Sequence, residues 1–309
     1  MRSFNSKILL FGEYTLLYKS KALTMPYDKF TGRWESNGTS SFAKESLESL
    51  KKYATFISEF QDVQYQFDSA SFQHDVNNGM YFESSIPQGY GLGSSGALVA
   101  AFFDKYVIHQ KPIDRLCSKI GVEEIQSLRL VLSKLEAFFH GTSSGIDPLS
   151  ILLNHPLLLH SLEHIETTSL PTANEEGKSV VFLLDTQQQR NTEKLVNQFK
   201  ERCKDESYKK AVETELLSYC NACISTFLNN EQESFYSHVH QLVEFQLKNM
   251  SFLIPDSLFK MIEEGQQSKS FSLKICGAGG GGYMLGFTKD WDKTASILKN
   301  QKIEIIYKY

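Results

Sequence analysis

No apolar run in the sequence approaches the roughly 18 residues that a membrane-spanning helix needs, so no span and no membrane partner are expected. An excess of basic residues is also missing. The net charge is −4, which disfavours a nucleic-acid partner, because such binders are usually basic. Cysteine is scarce. The five residues, Cys117, Cys203, Cys220, Cys223 and Cys276, are odd in number and scattered, which excludes a disulfide scaffold and suits a reducing cytosol. Cys220 and Cys223 form a lone C-x-x-C inside a helical pattern. Zinc would want a second pair, so helix packing is the better reading. The eight histidines show no metal constellation; His160 and His164 fall in a stretch that reads as a strand and turn. No signal peptide is expected, since Arg2 is followed only by a short apolar run that ends at Glu13. Repeats and low-complexity segments are absent. What is left is an ordinary globular balance, 41% hydrophobic and 22% charged over 309 residues, enough for one large or two medium domains.

Glycine is the residue used with most purpose. From Pro87 to Gly96 the chain reads PQGYGLGSSG, and an apolar helix pattern follows directly, from about Ser94 to His109. Glycines let a backbone turn tightly and approach a ligand. A helix behind them aims unpaired N–H groups and a positive dipole end into the loop, which suits phosphate. Gly91 to Gly96 also spells the dinucleotide fingerprint G-x-G-x-x-G, but the segment before Asp114 is no buried strand. A P-loop would end in Gly-Lys-Ser/Thr, and no lysine is there. Protein-kinase H-R-D and D-F-G signatures are missing. A ligand-free glycine turn is the bland alternative; its entropic cost makes it uncommon.

Strands are expected at Lys7–Phe11, Val63–Phe67, Met80–Ile86, Leu157–His160, Val180–Asp185, Ser272–Cys276, Tyr283–Phe287 and Ile303–Tyr307. Helices are expected at Phe42–Phe60, Glu123–Phe139, from about Asp147, and over Thr192–Lys204, Tyr208–Asn229, Gln232–Met250, Asp256–Gln266 and Asp292–Lys299. Residues 28–42 look like a polar loop. A composition shift near residue 168 suggests two domains, 1–168 and 169–309, of α+β class.

Gly141 to Gly145 matches the hydrolase elbow G-x-S-x-G, but a long charged helix precedes it where a strand is required. Asp147 before Pro148 would serve as a helix N-cap on general grounds. Glu136, eleven residues earlier, would ordinarily be solvated surface.

Taken together, these segments resemble the GHMP kinases. Pro87 to Ala97 is similar to their second motif, P-x-x-x-G-L-G-S-S-A, with Gly96 where alanine is usual. Ser6 to Tyr14 resembles the first motif, G-K-V-I-L-F-G-E-H, with Ser6 for glycine and Tyr14 for histidine. Lys274 to Gly282 resembles the third, K-x-T-G-A-G-G-G-G. His140 to Asp147 resembles the mevalonate kinase segment that carries the catalytic aspartate, and Asp185 to Thr192 resembles its acceptor segment, with Gln189 for proline.

The resemblance implies an α+β fold of two domains, ribosomal protein S5 domain 2-like and then ferredoxin-like, with the active site between them. It implies ATP as phosphoryl donor, Mg2+ as cofactor and a small-molecule alcohol, most like mevalonate, as acceptor. Asp147 and Lys7 would be catalytic. Pro87, Gly89, Gly91, Leu92, Gly93, Ser94, Ser95 and Gly96 would hold ATP, and Ser95 with Glu136 would hold the metal. Glu13, Tyr14, Ser144, Arg190, Thr192, Gly277, Ala278 and Gly279 would line the substrate site, with Arg190 suited to pair a carboxylate. Phosphomevalonate or a sugar is the alternative acceptor, and an inactive nucleotide-binding module the alternative class. A cytoplasmic location is expected, and a homodimer is an admissible assembly.

Overall fold

Alternation of apolar and polar residues builds the first sheet, and the computed structural model describes it within residues 2–18, 20–108 and 120–309. Asp114, Cys117 and His109 lie outside these residues. Strands β1 (Ser3–Phe11) and β2 (Ala22–Ser36) are antiparallel neighbours. The expected loop over 28–42 is therefore mostly strand. Tyr27 and Trp34 are buried while Asp28, Lys29 and Arg33 face outward, as one solvated face of an antiparallel sheet allows. Gly32, which suggested a loop, lies under the Phe82 ring where a Cβ would collide.

The far side of β2 is shared. Its C-terminal half pairs with β4 (Met80–Ser84), and its first residues pair with β6 (Leu157–Leu159), which continues to β7 (Ile165–Thr167). Only β3 (Gln66–Phe67) forms in the strand expected over 63–67, paired with β5 (Val107–Ile108).

Against this sheet and beside it lie α1 (Ser41–Glu59), α2 (Ser69–Asn77), α3 (Ser94–Tyr106), α4 (Val122–His140) and α5 (Ile146–Leu153). Helix α2 was not expected. Asp68 caps it by accepting from Ser71 N at 2.9 Å, and Phe72 and Val76 anchor it in the core. Helix α3 is apolar nearly all round because β1, β2, α4 and α5 all pack on it.

The second sheet has the order β11 (Ile303–Lys308), β8 (Val180–Asp185), β10 (Tyr283–Thr288), β9 (Ser272–Ile275), antiparallel throughout. Its helices are α6 (Thr192–Arg202), α7 (Glu206–Ala211), α8 (Leu217–Leu228), α9 (Gln232–Asn249), α10 (Asp256–Ser268) and α11 (Trp291–Ile297). A π turn at Val212–Leu216 interrupts the single helix expected over 208–229. Cys220 and Cys223 are buried on α8 as free thiols. Helix α8 also packs on β1 and β2, and the Phe11 ring stacks on Phe287 with centroids 5.4 Å apart. One apolar core thus runs through both sheets. The proposed boundary at 168/169 falls between β7 and β8.

Candidate active site

The glycine loop hangs from β1, because Lys7 N donates to Leu92 O at 3.1 Å. Leu92 is buried, and Gly89, Gly91 and Gly93 take φ values of 77°, 77° and 83°, which only glycine adopts freely. Space is tight as well as the turn. A Cβ on Gly93 would lie 2.9 Å from Ile151 Cδ1 and 3.3 Å from Lys7 Cγ, and one on Gly91 would strike the Arg190 guanidinium. Gly93 precedes α3 with no side-chain cap. The first N–H groups of α3, at Ser94, Ser95 and Gly96, are therefore free of a capping side chain and suit an anion such as a nucleotide phosphate. Pro87, half-buried, closes the loop's other end.

Beneath the loop, Lys7 Nζ is 2.8 Å from Asp147 Oδ1. Lys7 is almost wholly buried on β1, whereas the Asp147 side chain keeps 34% of its exposure, so the carboxylate faces the open side. The N-cap of α5 is Gly145, with φ of 76°. Asp147 thus lies one residue inside the first turn and does not serve as the cap. Its place there is still favourable to a carboxylate through the helix dipole.

Glu136, on the last turn but one of α4, is 5% exposed. Its Oε1 accepts from Ser95 Oγ at 3.0 Å and its Oε2 from Ser143 Oγ at 2.5 Å, while His140 Nε2 lies 3.0 Å from Ser95 Oγ. Burial first, and then the Asp147 charge, push the Glu136 carboxyl up to about 7, against the pull of both serines and Lys7. A buried carboxylate and a half-buried hydroxyl next to a second carboxylate form an oxygen-only set. That donor chemistry fits Mg2+.

Two further segments meet the loop. Gly282 N donates to Gln188 O at 2.7 Å, and Thr186 Oγ1 donates to Gly282 O at 2.7 Å, which zips residues 186–191 to the third glycine run. Arg190 then lies between Gly91 and Gly277, with Nη1 donating to Cys276 O at 2.7 Å. Its Nε is buried without a partner among the described residues, so the guanidinium has unused donor capacity. Thr192 opens α6 on the exposed surface, and Asn191 caps that helix by accepting from Lys194 N at 3.0 Å. Ser144 is also exposed; its hydroxyl accepts from Ile146 N at 3.3 Å, and its carbonyl accepts from the buried Arg129 at 2.9 Å.

Glu13 and Tyr14 make contacts inside the protein. The Glu13 carboxylate is buried and takes a hydrogen bond from Lys274 Nζ at 2.5 Å. Tyr14, at φ of 64°, donates its hydroxyl to Ala278 O at 2.6 Å. Both join the first motif to the third. Gly279 packs on Leu253, where a Cβ would approach its carbonyl oxygen to 2.5 Å. Sequence reasoning gave no role to Ser143, His140 or Lys274, although each stands inside a segment it had marked.

Full-length comparison places this architecture among known proteins. A mevalonate kinase from Thermococcus onnurineus (strain NA1) is 25% identical, with 92% of this chain and 87% of that protein covered. A phosphomevalonate kinase from Streptococcus pneumoniae, solved with phosphomevalonate and AMPPNP, superposes with a TM-score of 0.65 at 14% identity over 99% of both chains. Mevalonate kinase from Methanococcus jannaschii superposes with a TM-score of 0.60 at 17% identity, covering 99% of this chain and 96% of that one. This is the two-domain α+β fold of the GHMP kinases. No protein-family model matches the chain.

Departures from the GHMP kinase motifs have local causes. Ser6 is buried and donates to Tyr27 O at 2.8 Å. Gly96 faces α5, where a Cβ would lie 2.9 Å from Pro148 N and 3.0 Å from Asp147 Cβ. Among the described residues no helix is long and apolar enough to cross a membrane.

Proposed function

We propose that this chain is an ATP-dependent kinase of a small-molecule alcohol, with mevalonate as the acceptor and two domains, 1–168 and 169–309, flanking the site. The observation that carries the reading is the 2.8 Å contact between Lys7 and Asp147 under an uncapped helix N-terminus. Phosphoryl transfer asks a protein mainly for positioning and charge stabilisation. The amides of Ser94 to Gly96 would hold the donor phosphates. Ser95 and Glu136 would hold Mg2+, which when bound neutralises charge on the phosphate oxygens. Asp147 would accept the proton of the acceptor hydroxyl as its oxygen becomes the nucleophile. Lys7, 2.8 Å from that carboxylate, would stabilise the forming alkoxide. Arg190, with donor capacity to spare, would take the acceptor's carboxylate through paired hydrogen bonds.

The test is ADP release by the purified chain with Mg2+ and ATP against mevalonate, phosphomevalonate, galactose and homoserine. Mevalonate should be turned over, and galactose and homoserine should not. A strong preference for phosphomevalonate moves the acceptor assignment, and no release with any alcohol overturns the kinase reading.

A further inference from the structure

The outer face of the β6–β7 hairpin gathers three ligand-type side chains that the cleft does not use. Leu159 and Ile165 pair directly across the hairpin, and Leu158 pairs with Glu166. One step further out, His160 N donates to His164 O at 2.9 Å, so the two histidines oppose each other across the turn. Alternate residues of a strand share a face. His160 therefore projects with Leu158, and His164 projects with Glu166, on the same side. The side chains converge accordingly. The two imidazoles stack with centroids 4.6 Å apart, and His160 Nε2 is 2.8 Å from Glu166 Oε1. Ligand atoms of His160, His164 and Glu166 all lie within 4.8 Å of one another. The sequence spacing hid this cluster, because the two histidines become neighbours only once the turn folds.

We propose that His160, His164 and Glu166 form a binding site for a borderline divalent transition ion, zinc above others. Two imidazoles and one carboxylate are a zinc donor set, with water as the fourth ligand. Zinc bonds of about 2.0–2.1 Å place tetrahedral ligand atoms roughly 3.3 Å apart. The His160–Glu166 spacing is already near that value. His164 is exposed, and its ligand atom already lies within 4.8 Å of those of the other two. A plain His160–Glu166 hydrogen bond accounts for one ring and leaves the second, stacked on it, unexplained. Imidazole donors disfavour magnesium and calcium, which prefer oxygen. The site is thus chemically distinct from the oxygen-only set at Glu136. An ion held by both strands would fasten the hairpin, and by binding only the folded chain it would raise its melting temperature.

The experiment is calorimetric titration of chelator-treated full-length protein with zinc chloride, with cobalt absorption as the reporter of tetrahedral ligation. One high-affinity ion per chain is expected, with an increase in melting temperature and no comparable heat from magnesium. His160→Ala, His164→Ala and Glu166→Gln should each weaken zinc by at least about tenfold, the smallest loss usual for removing even an indirect contact. ADP release in zinc-free buffer should stay at the wild-type rate in all three. Where His160→Ala disturbs the hairpin, His164→Gln at the exposed position gives the same reading. Absence of zinc binding by the wild type, or undiminished binding by the folded variants, overturns the proposal.

Discussion

Asp147 meets two demands at one position. As a first-turn residue it interacts favourably with the dipole of α5, an effect of about 0.3–1 kcal/mol. As the partner of Lys7 it is held 2.8 Å from a nearly buried ammonium while its own side chain reaches solvent. Asp147→Asn removes the proton acceptor and also leaves the nearly buried Lys7 ammonium without its counter-charge, so some stability is lost along with the catalytic group. ADP release should fall by at least about a hundredfold, the low end for a general base, with calorimetric ATP affinity nearly unchanged. Lys7→Met should lose a similar amount. The double variant should lose less than the product of the two, since groups acting as a unit are not additive. Independent, multiplying losses would show that the pair does not work together. Glu136 offers a test by pH. Its carboxyl is raised from 4.5 to about 7 in the folded chain, so between those values the folded state holds a proton that the unfolded state has released. The stability this provides is complete below 4.5 and is lost as pH rises through about 7. Metal-free wild-type protein should lose urea resistance across that window relative to Glu136→Gln, which has no carboxyl to titrate. Parallel curves for the two proteins would mean that Glu136 is not the group responsible.

At the scale of elements, the site depends on how closely α3 crosses α5. Gly96 permits that approach. Gly96→Ala restores the residue usual in the family motif and, on helix propensity alone, should stabilise by about 1 kcal/mol. The new methyl would meet Pro148 N at 2.9 Å and the Asp147 backbone carbon at 3.0 Å. Backbone atoms cannot swing aside as a flexible side chain does, so the clash should outweigh the propensity gain and displace Asp147. Lower kcat with a smaller change in KM for ATP, together with a lower melting temperature, is the expected outcome. Wild-type kcat with higher stability would show that the helices can part without cost. The same elements show what the sequence makes legible. Helices α3, α4 and α5 and the glycine runs were readable because each carries a local signal: apolar periodicity, or glycines where φ is positive. Strand β2 was not, because its polar residues and Gly32 look like a loop until β1 and β4 pair with it. Helix α2 is nine residues long, with only Phe72 and Val76 to mark its buried face. Lys7 and Asp147 could be named from motifs, but Ser143 on Glu136 is a contact made by tertiary structure alone.

For the whole molecule, the Glu13–Lys274 pair ties the turn after β1 to β9 of the second sheet. Their side chains are 3% and 0% exposed, and Lys274 also donates to Ile275 O at 2.6 Å. Burial pushes the Glu13 carboxyl upward and the Lys274 ammonium opposes it. Such a pair is a weak source of net stability, because desolvating two ions offsets their attraction. Removing only one partner is a different matter, since it leaves a buried charge or polar group unmatched. Lys274→Met should therefore destabilise by about 3–5 kcal/mol and lower the urea midpoint. It should also loosen the third glycine run against Tyr14 and raise KM for the acceptor. Glu13→Gln with Lys274→Met replaces the ions by neutral side chains of similar size, and it should recover much of the lost midpoint. The reason is physical: the penalty of Lys274→Met lies mainly in the stranded carboxylate, which the second change removes. Additive losses in the double variant would instead mean that each side chain holds its own half of the molecule separately. In that case the tie between the sheets would rest on other contacts, among them the Phe11–Phe287 stack, the Tyr14–Ala278 hydrogen bond and the packing of α8.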